Sequence, residues 1–383
     1  MSLAIELGGA VLLAATVSVA ACGMAMRARV LDAPLGLARK GDRAPVATSG
    51  GVGVGFGVFA GVGVLSAAGS LWALELDPAA PGWIAAALGV AACALVIGLL
   101  DDIAVFGPRL KGAVFAALSF AAPIMIGPVE SLPLAFGVSL PLGYALGVIG
   151  SALWMFTIMN TVNFIDGANG LAMGSAAIGL AAFSIAAFVA GAPASASLAL
   201  CAAAALLGFL VWNFPAGRLF AGDSGALFIG ALVGTLGLMA VEEGGLSPFI
   251  PPILFFPMLA DVLLTLSWRV RHRAKLLQGH RDHFYHIAIR AGVQPWRVTL
   301  VYWALMTKCG LIGIALTLTP QPSLLAAAAA VAAAPFWVQS LVMTAAAIAS
   351  TATLAAFIVL AGVWLKASKR IRAYAKARGL DVE

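Results

Sequence analysis

Long apolar runs alternate with short polar breaks along the chain, and the runs have the length of membrane spans. A helix crossing the hydrocarbon layer needs about 20 mostly apolar residues. Runs of this kind cover 3–26, 50–74, 82–100, 112–127, 139–159, 171–190, 194–212, 225–241, 249–268, 298–319 and 340–365, which predicts about 11 transmembrane helices. The stretch 323–334 is shorter and leads into Pro335 and Trp337, so it reads as a half-helix or interfacial segment. There is no repeat of fixed period, no heptad pattern and no segment the size of a soluble domain. The expected fold is therefore all-α: a polytopic helical bundle forming a single domain over 1–383, with 269–297 as its largest loop and 366–383 as a basic tail.

Composition strengthens this reading. Of 383 residues, 62% are hydrophobic and 10% charged, and the mean hydropathy of +1.04 lies far above that of soluble domains. Cys22, Cys93, Cys201 and Cys309 all sit in apolar runs without a CxxC pair, as small packing residues do. The run from Leu7 to Met26 lacks the basic flank and cleavage site of a signal peptide, so it is expected to be kept as the first span.

Charge then orients the bundle, because short cytoplasmic loops collect Lys and Arg. One side holds Arg27, Arg29, Arg39, Lys40 and Arg43; Arg109 and Lys111; Arg218; the series from Arg269 to Arg297; and the tail from Lys366 to Arg378. The other side holds Glu75, Asp77, Glu130, Glu242 and Glu243. The expectation is an outside N-terminus and a cytoplasmic C-terminus. The net charge of +6 is thereby a topology signal rather than a sign of nucleic-acid binding.

The polar breaks on the cytoplasmic side carry the candidate chemistry. In 160–172, NTVNFIDGANGLA, a continued helix would set Asn160, Asn163 and Asp166 in one stripe before Gly167 and Gly170 break it. Polar groups so placed in an apolar chain are costly and usually functional. Asp101 and Asp102 close the third run, where the helix dipole disfavours carboxylates. A divalent metal or a general-base role would explain the pair, and a solvated helix end is the plainer alternative. The first loop, 31–51, is basic ahead of a Gly pair, which suits an anionic head group and equally the positive-inside rule.

Gly55, Gly57 and Ala60 match a dinucleotide fingerprint in form, but no strand precedes them, and glycines in a span serve close helix packing. The tetrapeptide from Gly222 to Gly225 opens an apolar helix, where Asp223 or Ser224 is a candidate N-cap and Asp223 a candidate magnesium ligand beside an anion-binding helix start. Read as a nucleophile, Ser224 suggests an intramembrane serine protease, but His272, His280, His283 and His286 all lie in one loop and none within a span. If helical, His280, His283 and His286 share a face; with no cysteine beside them, and Arg281 nearby, a diphosphate fits better than structural zinc. Asp261 and Lys308 fall inside runs and are expected either to be structural partners or to line a lipid-phosphate groove.

Taken in order, these segments resemble the polyprenyl-phosphate N-acetylhexosamine-1-phosphate transferase family. The likeness rests on Asp32-x-Pro34, Arg39-Lys40 and Gly50-Gly51; Asp101-Asp102 with Lys111; Asn160-x-x-Asn163-x-x-Asp166-Gly167-x-x-Gly170-Leu171; Asn213 with Gly222-Asp223-Ser224-Gly225; and the cluster from His283 to His286. Asp42, Ala47, Asn169 and Ala226 depart from the usual pattern, and Tyr285 interrupts the histidines to give HFYH, unlike enzymes that load muramoyl-pentapeptide. That last change bears on the sugar more than on the chemistry.

The resemblance implies transfer of a sugar 1-phosphate from a UDP-sugar to a polyprenyl phosphate at the bacterial inner membrane, with release of UMP. It implies Mg²⁺, or Mn²⁺ in its place, on Asp223, and Asp101 or Asp102 near the lipid phosphate as base or second metal contact. Asn160, Asn163, Asp166 and Asn169 fall at the nucleotide end, and Lys111, Arg281, His283 and His286 at the phosphates. The implied partners are polyprenyl phosphate, the UDP-sugar and the membrane, without nucleic acid; a homodimer is compatible. A secondary transporter is the rival from another class, and it would show internal repeats and paired broken helices near the midplane.

Overall fold

The computed structural model describes residues 3–28, 47–67, 79–104, 106–133, 139–275 and 280–318, with the isolated positions 366, 369 and 373. Outside the described residues lie Asp32, Pro34, Arg39, Lys40 and Asp42 of the first loop, the segment 323–334, the span expected at 340–365 and most of the basic tail.

The helices, in chain order, are α1 (Leu3–Ala28), α2 (Gly50–Ala67), α3 (Ala80–Ala104), α4 (Pro108–Ile126), α5 (Gly143–Ile165), α6 (Leu171–Val189), α7 (Pro193–Asn213), α8 (Gly222–Gly244), α9 (Ile250–Leu254), α10 (Phe256–Arg271), α11 (Phe284–Arg290) and α12 (Pro295–Leu318). Between α4 and α5, β1 (Ser131–Pro133) and β2 (Ser139–Pro141) form a short antiparallel pair, a small addition to the helices among the described residues. Among the described residues nine helices are long and apolar enough to cross a membrane. Their ends follow local rules: Pro108 and Pro193 occupy first-turn positions where a missing N–H costs nothing, and Gly245 closes α8 in the left-handed conformation.

One expected span is corrected. The run 249–268 is not a single helix but breaks at Phe255 between α9 and α10. Pro257 lacks an N–H and its ring clashes with the carbonyl four residues back, which favours a break there. The expected run 139–159 shifts to Gly143–Ile165; of the run 50–74, residues Gly50–Ala67 are helical and 68–74 lie outside the described residues.

The bundle is organised around α8. Every residue from Ser224 to Ala240 is buried, as befits a helix apolar on all sides. It packs chiefly on α3 and α5, with α2, α4, α6 and α7 around them. Small residues permit this closeness. A Cβ on Gly230 would lie 2.7 Å from Met159 Cα, and one on Gly57 would lie 2.5 Å from the Ala14 carbonyl oxygen. The Gly55 to Ala60 stretch is thus helix-packing surface within α2, as its setting in the sequence implied. Leu153, Phe188, Leu207 and Val211 are exposed on the periphery, as lipid-facing residues are.

The polar ends of α3, α4, α5, α6, α7, α8 and α12 meet at one end of the bundle, as the hydrogen bonds there show. Lys111 joins Asp101 to Asp223, Gly170 bonds Asn213, and Thr299 bonds the Asn169 carbonyl. Glu130 lies at the other end, where its carbonyl accepts from Leu142 and Gly143.

Candidate active site

The site begins where α3 ends. Asp101 and Asp102 are adjacent in sequence but divide between two tasks. Asp101 turns inward: its Oδ1 accepts from the Phe106 N–H at 2.6 Å and its Oδ2 from Lys111 Nζ at 2.6 Å. Asp102 turns to α8: its Oδ1 accepts from the Asp223 N–H at 2.8 Å and its Oδ2 from the Ser224 N–H at 3.1 Å.

The expected N-cap is thereby corrected. Neither Asp223 nor Ser224 caps α8; the first-turn N–H groups are capped by Asp102, from another helix. Carboxylates at the C-terminus of α3 oppose its dipole, but here they face the N-terminus of α8, where negative charge is favoured. Both Asp102 oxygens accept from backbone donors, so this side chain holds the start of α8. Asp102→Ala is expected to lower stability by about 1–2 kcal/mol, the usual cost of a lost N-cap. Asp102→Asn, which keeps an acceptor, is expected to lose less. Thermal unfolding in detergent measures both, and an Asp102→Ala protein as stable as wild type would remove the capping role.

Asp223 stands at the centre. Its Oδ2 accepts from Lys111 Nζ at 2.7 Å and its Oδ1 from the Asn163 amide at 2.6 Å. One ammonium therefore bridges two carboxylates, with the Lys111 side chain 23% and Asp223 24% exposed. Ser224 is fully buried and donates its hydroxyl to the Ala221 carbonyl in its own helix start, a poor position for a nucleophile.

The loop before α8 is fixed by close backbone contact. Gly50 and Gly51 donate their N–H groups to the Phe220 and Ala221 carbonyls at 3.0 and 2.9 Å. A Cβ on Gly51 would lie 2.1 Å from the Gly225 nitrogen. Gly222 has φ +72°, and a Cβ there would meet the Thr48 carbonyl oxygen and Asp102 Oδ2. The Gly pair of the first loop thus acts as a steric seat for the turn that presents Asp223.

The break after α5 is resolved into separate duties. Asn163 reaches Asp223, whereas Asn160 donates its amide to the Phe156 carbonyl of its own helix, so these residues do not form one functional stripe. Asp166 is the C-cap residue of α5. Asn169 bonds the Pro215 carbonyl at 2.9 Å. Asn213, a motif residue without an expected role, accepts from the Gly170 N–H at 2.6 Å and donates to the Leu219 carbonyl at 2.8 Å, tying the two loops together.

The histidine loop differs most from expectation. Helix α11 starts only at Phe284, and His283 before it is extended, so the histidines do not share a helical face. Instead His280 stacks on His283 with ring centroids 4.9 Å apart. His283 is buried, with Nδ1 3.3 Å from Asp261 Oδ1. Asp261, itself fully buried, also accepts from the Phe284 N–H at 2.9 Å and the Tyr302 hydroxyl at 2.5 Å. It therefore anchors the loop to α10 and α12. Arg269 pairs with Asp282. His286 is half-buried against Tyr285, their rings 4.1 Å apart, and Arg281 is half-buried beside Asp282. Tyr285 donates its hydroxyl to the Phe164 carbonyl at 3.0 Å and packs on Gly167, so this loop is fastened one residue from Asn163. The unusual Tyr285 is a latch between the two loops.

Among the described residues no group of three or more His, Cys, Asp or Glu side chains could hold a metal ion unaided. A cation here would need oxygen atoms from a substrate, the mode Mg²⁺ commonly takes with one or two carboxylates.

Comparison with known proteins bears on the same residues. Residues 84–241 match the model described as Glycosyl transferase family 4. This range contains Asp101, Asp102, Lys111, Asn163 and Asp223 but not the histidine loop. Over 235 residues the chain is 28% identical to a phospho-N-acetylmuramoyl-pentapeptide-transferase of Staphylococcus haemolyticus (strain JCSC1435), covering 57% of this chain and 71% of that protein. Over 177 residues it is 30% identical to a protein of the same description from Staphylococcus aureus (strain JH9), covering 46% of this chain and 54% of that one. The chain thus spans about half the length of the second relative.

Proposed function

We propose that this chain is a glycosyl transferase family 4 enzyme that transfers a sugar 1-phosphate of N-acetylhexosamine type from a UDP-sugar to a polyprenyl phosphate. The observation that carries the reading is the convergence of Asp101, Asp223, Lys111 and Asn163 at one end of a membrane bundle, at the start of a helix. The carboxylates there give a divalent cation a place to bridge to a phosphate. The basic residues of the same end make it the cytoplasmic face of a bacterial inner membrane, and one catalytic domain the economical organisation of the chain. A transporter would gather its polar groups near the midplane instead; among the described residues only one span-length segment, α9 with α10, is split in two.

The donor set fits Mg²⁺, or Mn²⁺ in its place, because Asp101 and Asp223 aim oxygens at a common point and Asp223 stays partly open. Asp223 would hold the ion, with Asp101 as second contact. When bound, it neutralises the diphosphate and the charge that grows on the leaving phosphate.

The chain's own residues bind and orient. An oxygen of the polyprenyl phosphate forms a bond to the β-phosphorus as the bond from that phosphorus to the bridging oxygen breaks, and UMP leaves with the electron pair. No proton need be removed, since a phosphate monoester has a second pKa of about 6 and is mostly dianionic at pH 7. Asn163 fixes the Asp223 carboxylate, and Asp102 holds the helix that carries it. Asp166 and Asn169 border the nucleotide end, and Arg281 and His286 face the diphosphate. His283, buried on Asp261, holds its loop instead of contacting phosphate.

The test supplies detergent-solubilised protein with polyprenyl phosphate, Mg²⁺ and a panel of radiolabelled UDP-N-acetylhexosamines. The expected result is labelled lipid together with UMP. Absence of both across a wide sugar panel would overturn the reading.

A further inference from the structure

We propose that Lys111 is a resident counter-ion for Asp101 and Asp223 and yields its place to a divalent cation when the site is charged, rather than being a permanent strut. The proposal rests on the transferase reading above for the identity of that cation.

Three features support exchange. First, Lys111 Nζ lies 2.6 and 2.7 Å from one oxygen of each carboxylate, at the point where two acidic oxygens meet. A unit positive charge is needed there, since two carboxylates facing each other without one repel strongly. Second, each carboxylate keeps another anchor that does not involve Lys111. Asp101 Oδ1 is held by the Phe106 N–H and Asp223 Oδ1 by the Asn163 amide. The oxygens therefore stay aimed at the same point when the ammonium leaves. A strut would instead be the part on which their orientation depended.

Third, the Lys111 side chain reaches solvent and is flexible by nature. Lys111 sits in the first turn of α4, its side chain is 23% exposed, and its stem is long and flexible. The Phe115 ring centroid on the same helix lies 5.9 Å from Nζ, within cation–π range. Displaced towards the open side, Lys111 would meet the phosphate that accompanies the incoming cation. The exchange keeps charge near balance throughout: the carboxylates always have a cation, and the phosphate gains one.

The experiment compares full-length wild type with Lys111→Met and Lys111→Arg in detergent, by thermal unfolding in EDTA and across a Mg²⁺ titration. In EDTA, Lys111→Met is expected to melt below wild type and Lys111→Arg near it. Mg²⁺ is expected to bind Lys111→Met about tenfold more tightly than wild type, because no ammonium competes for the carboxylates. Equal or weaker Mg²⁺ binding by Lys111→Met would overturn the proposal, as would the lack of any response to Mg²⁺ in both proteins.

A second measurement needs no variant. Acylation of Lys111 in wild type by an amine reagent, read by mass spectrometry, is expected to rise severalfold on adding Mg²⁺, as the ammonium leaves the carboxylates. Unchanged or reduced labelling would count against exchange. Neither measurement uses UDP-sugar or lipid, so failure of exchange with labelled lipid still forming leaves the transferase reading intact. Exchange without lipid product would sink only that reading.

Discussion

Asp223→Asn is expected to abolish transfer, lowering turnover by about 10³-fold or more, while the purified protein stays folded. The substitution is nearly isosteric, so packing around α8 does not change. What changes is the pairing. Asp223 accepts from Asn163 on one oxygen and from Lys111 on the other. An amide has only one acceptor atom, so either Lys111 or Asn163 must face an NH₂ group. The negative charge proposed to hold the metal is lost in either orientation.

The expected stability cost is modest, because Lys111 keeps Asp101 and the backbone cap from Asp102 does not involve the Asp223 side chain. The same substitution thus separates chemistry from folding. Transfer of labelled sugar to lipid reads the first, and the thermal midpoint in detergent, expected within a few degrees of wild type, reads the second. Wild-type turnover by Asp223→Asn would remove Asp223 from the metal role.

How much of this was visible in the sequence depends on how local each feature is. Spans were legible because an apolar run of sufficient length has few alternatives in a membrane. The break between α9 and α10 was signalled by Pro257, which length alone overlooks. The acidic pair was legible as an anomaly, since two carboxylates at a helix end need a reason to persist. Its division of labour was not. Asp102 and Asp223 are 121 positions apart, and only the packing of α3 on α8 shows that one caps the helix of the other.

A histidine spacing of three suits one helical face only if the segment is helical, and α11 begins after His283. Tyr285 was visible as a departure from the family pattern. Its bond to the Phe164 carbonyl depends on where two loops meet, which the sequence does not state.

Gly98 carries the other large expected effect, and nothing in its local sequence singles it out. A Cβ there would lie 2.5 Å from both the Asp223 carbonyl oxygen and Ser224 Cα. These are backbone atoms at the start of α8, which cannot turn aside as a side chain can. Gly98→Ala must therefore push α3 away from α8 at the level of the site. Asp102 lies one helical turn further along α3 and would withdraw from the Asp223 and Ser224 N–H groups, as would Asp101 from the ammonium it shares. Misplacement of about 1 Å in a catalytic constellation can cost roughly 10²-fold in rate, and that loss of turnover is expected here together with a lower thermal midpoint. Gly89 provides the control within the same helix: a Cβ there meets nothing within 4 Å. Gly89→Ala is expected to keep wild-type turnover and to match or slightly exceed wild-type stability, since Ala favours a helix over Gly by about 0.5–1 kcal/mol. If Gly98→Ala behaved like Gly89→Ala, the contact of α3 with α8 would not be what presents the acidic pair to Asp223. Both variants should be measured by the same transfer assay and melting curve, because the argument turns on the difference between two glycines on one helix.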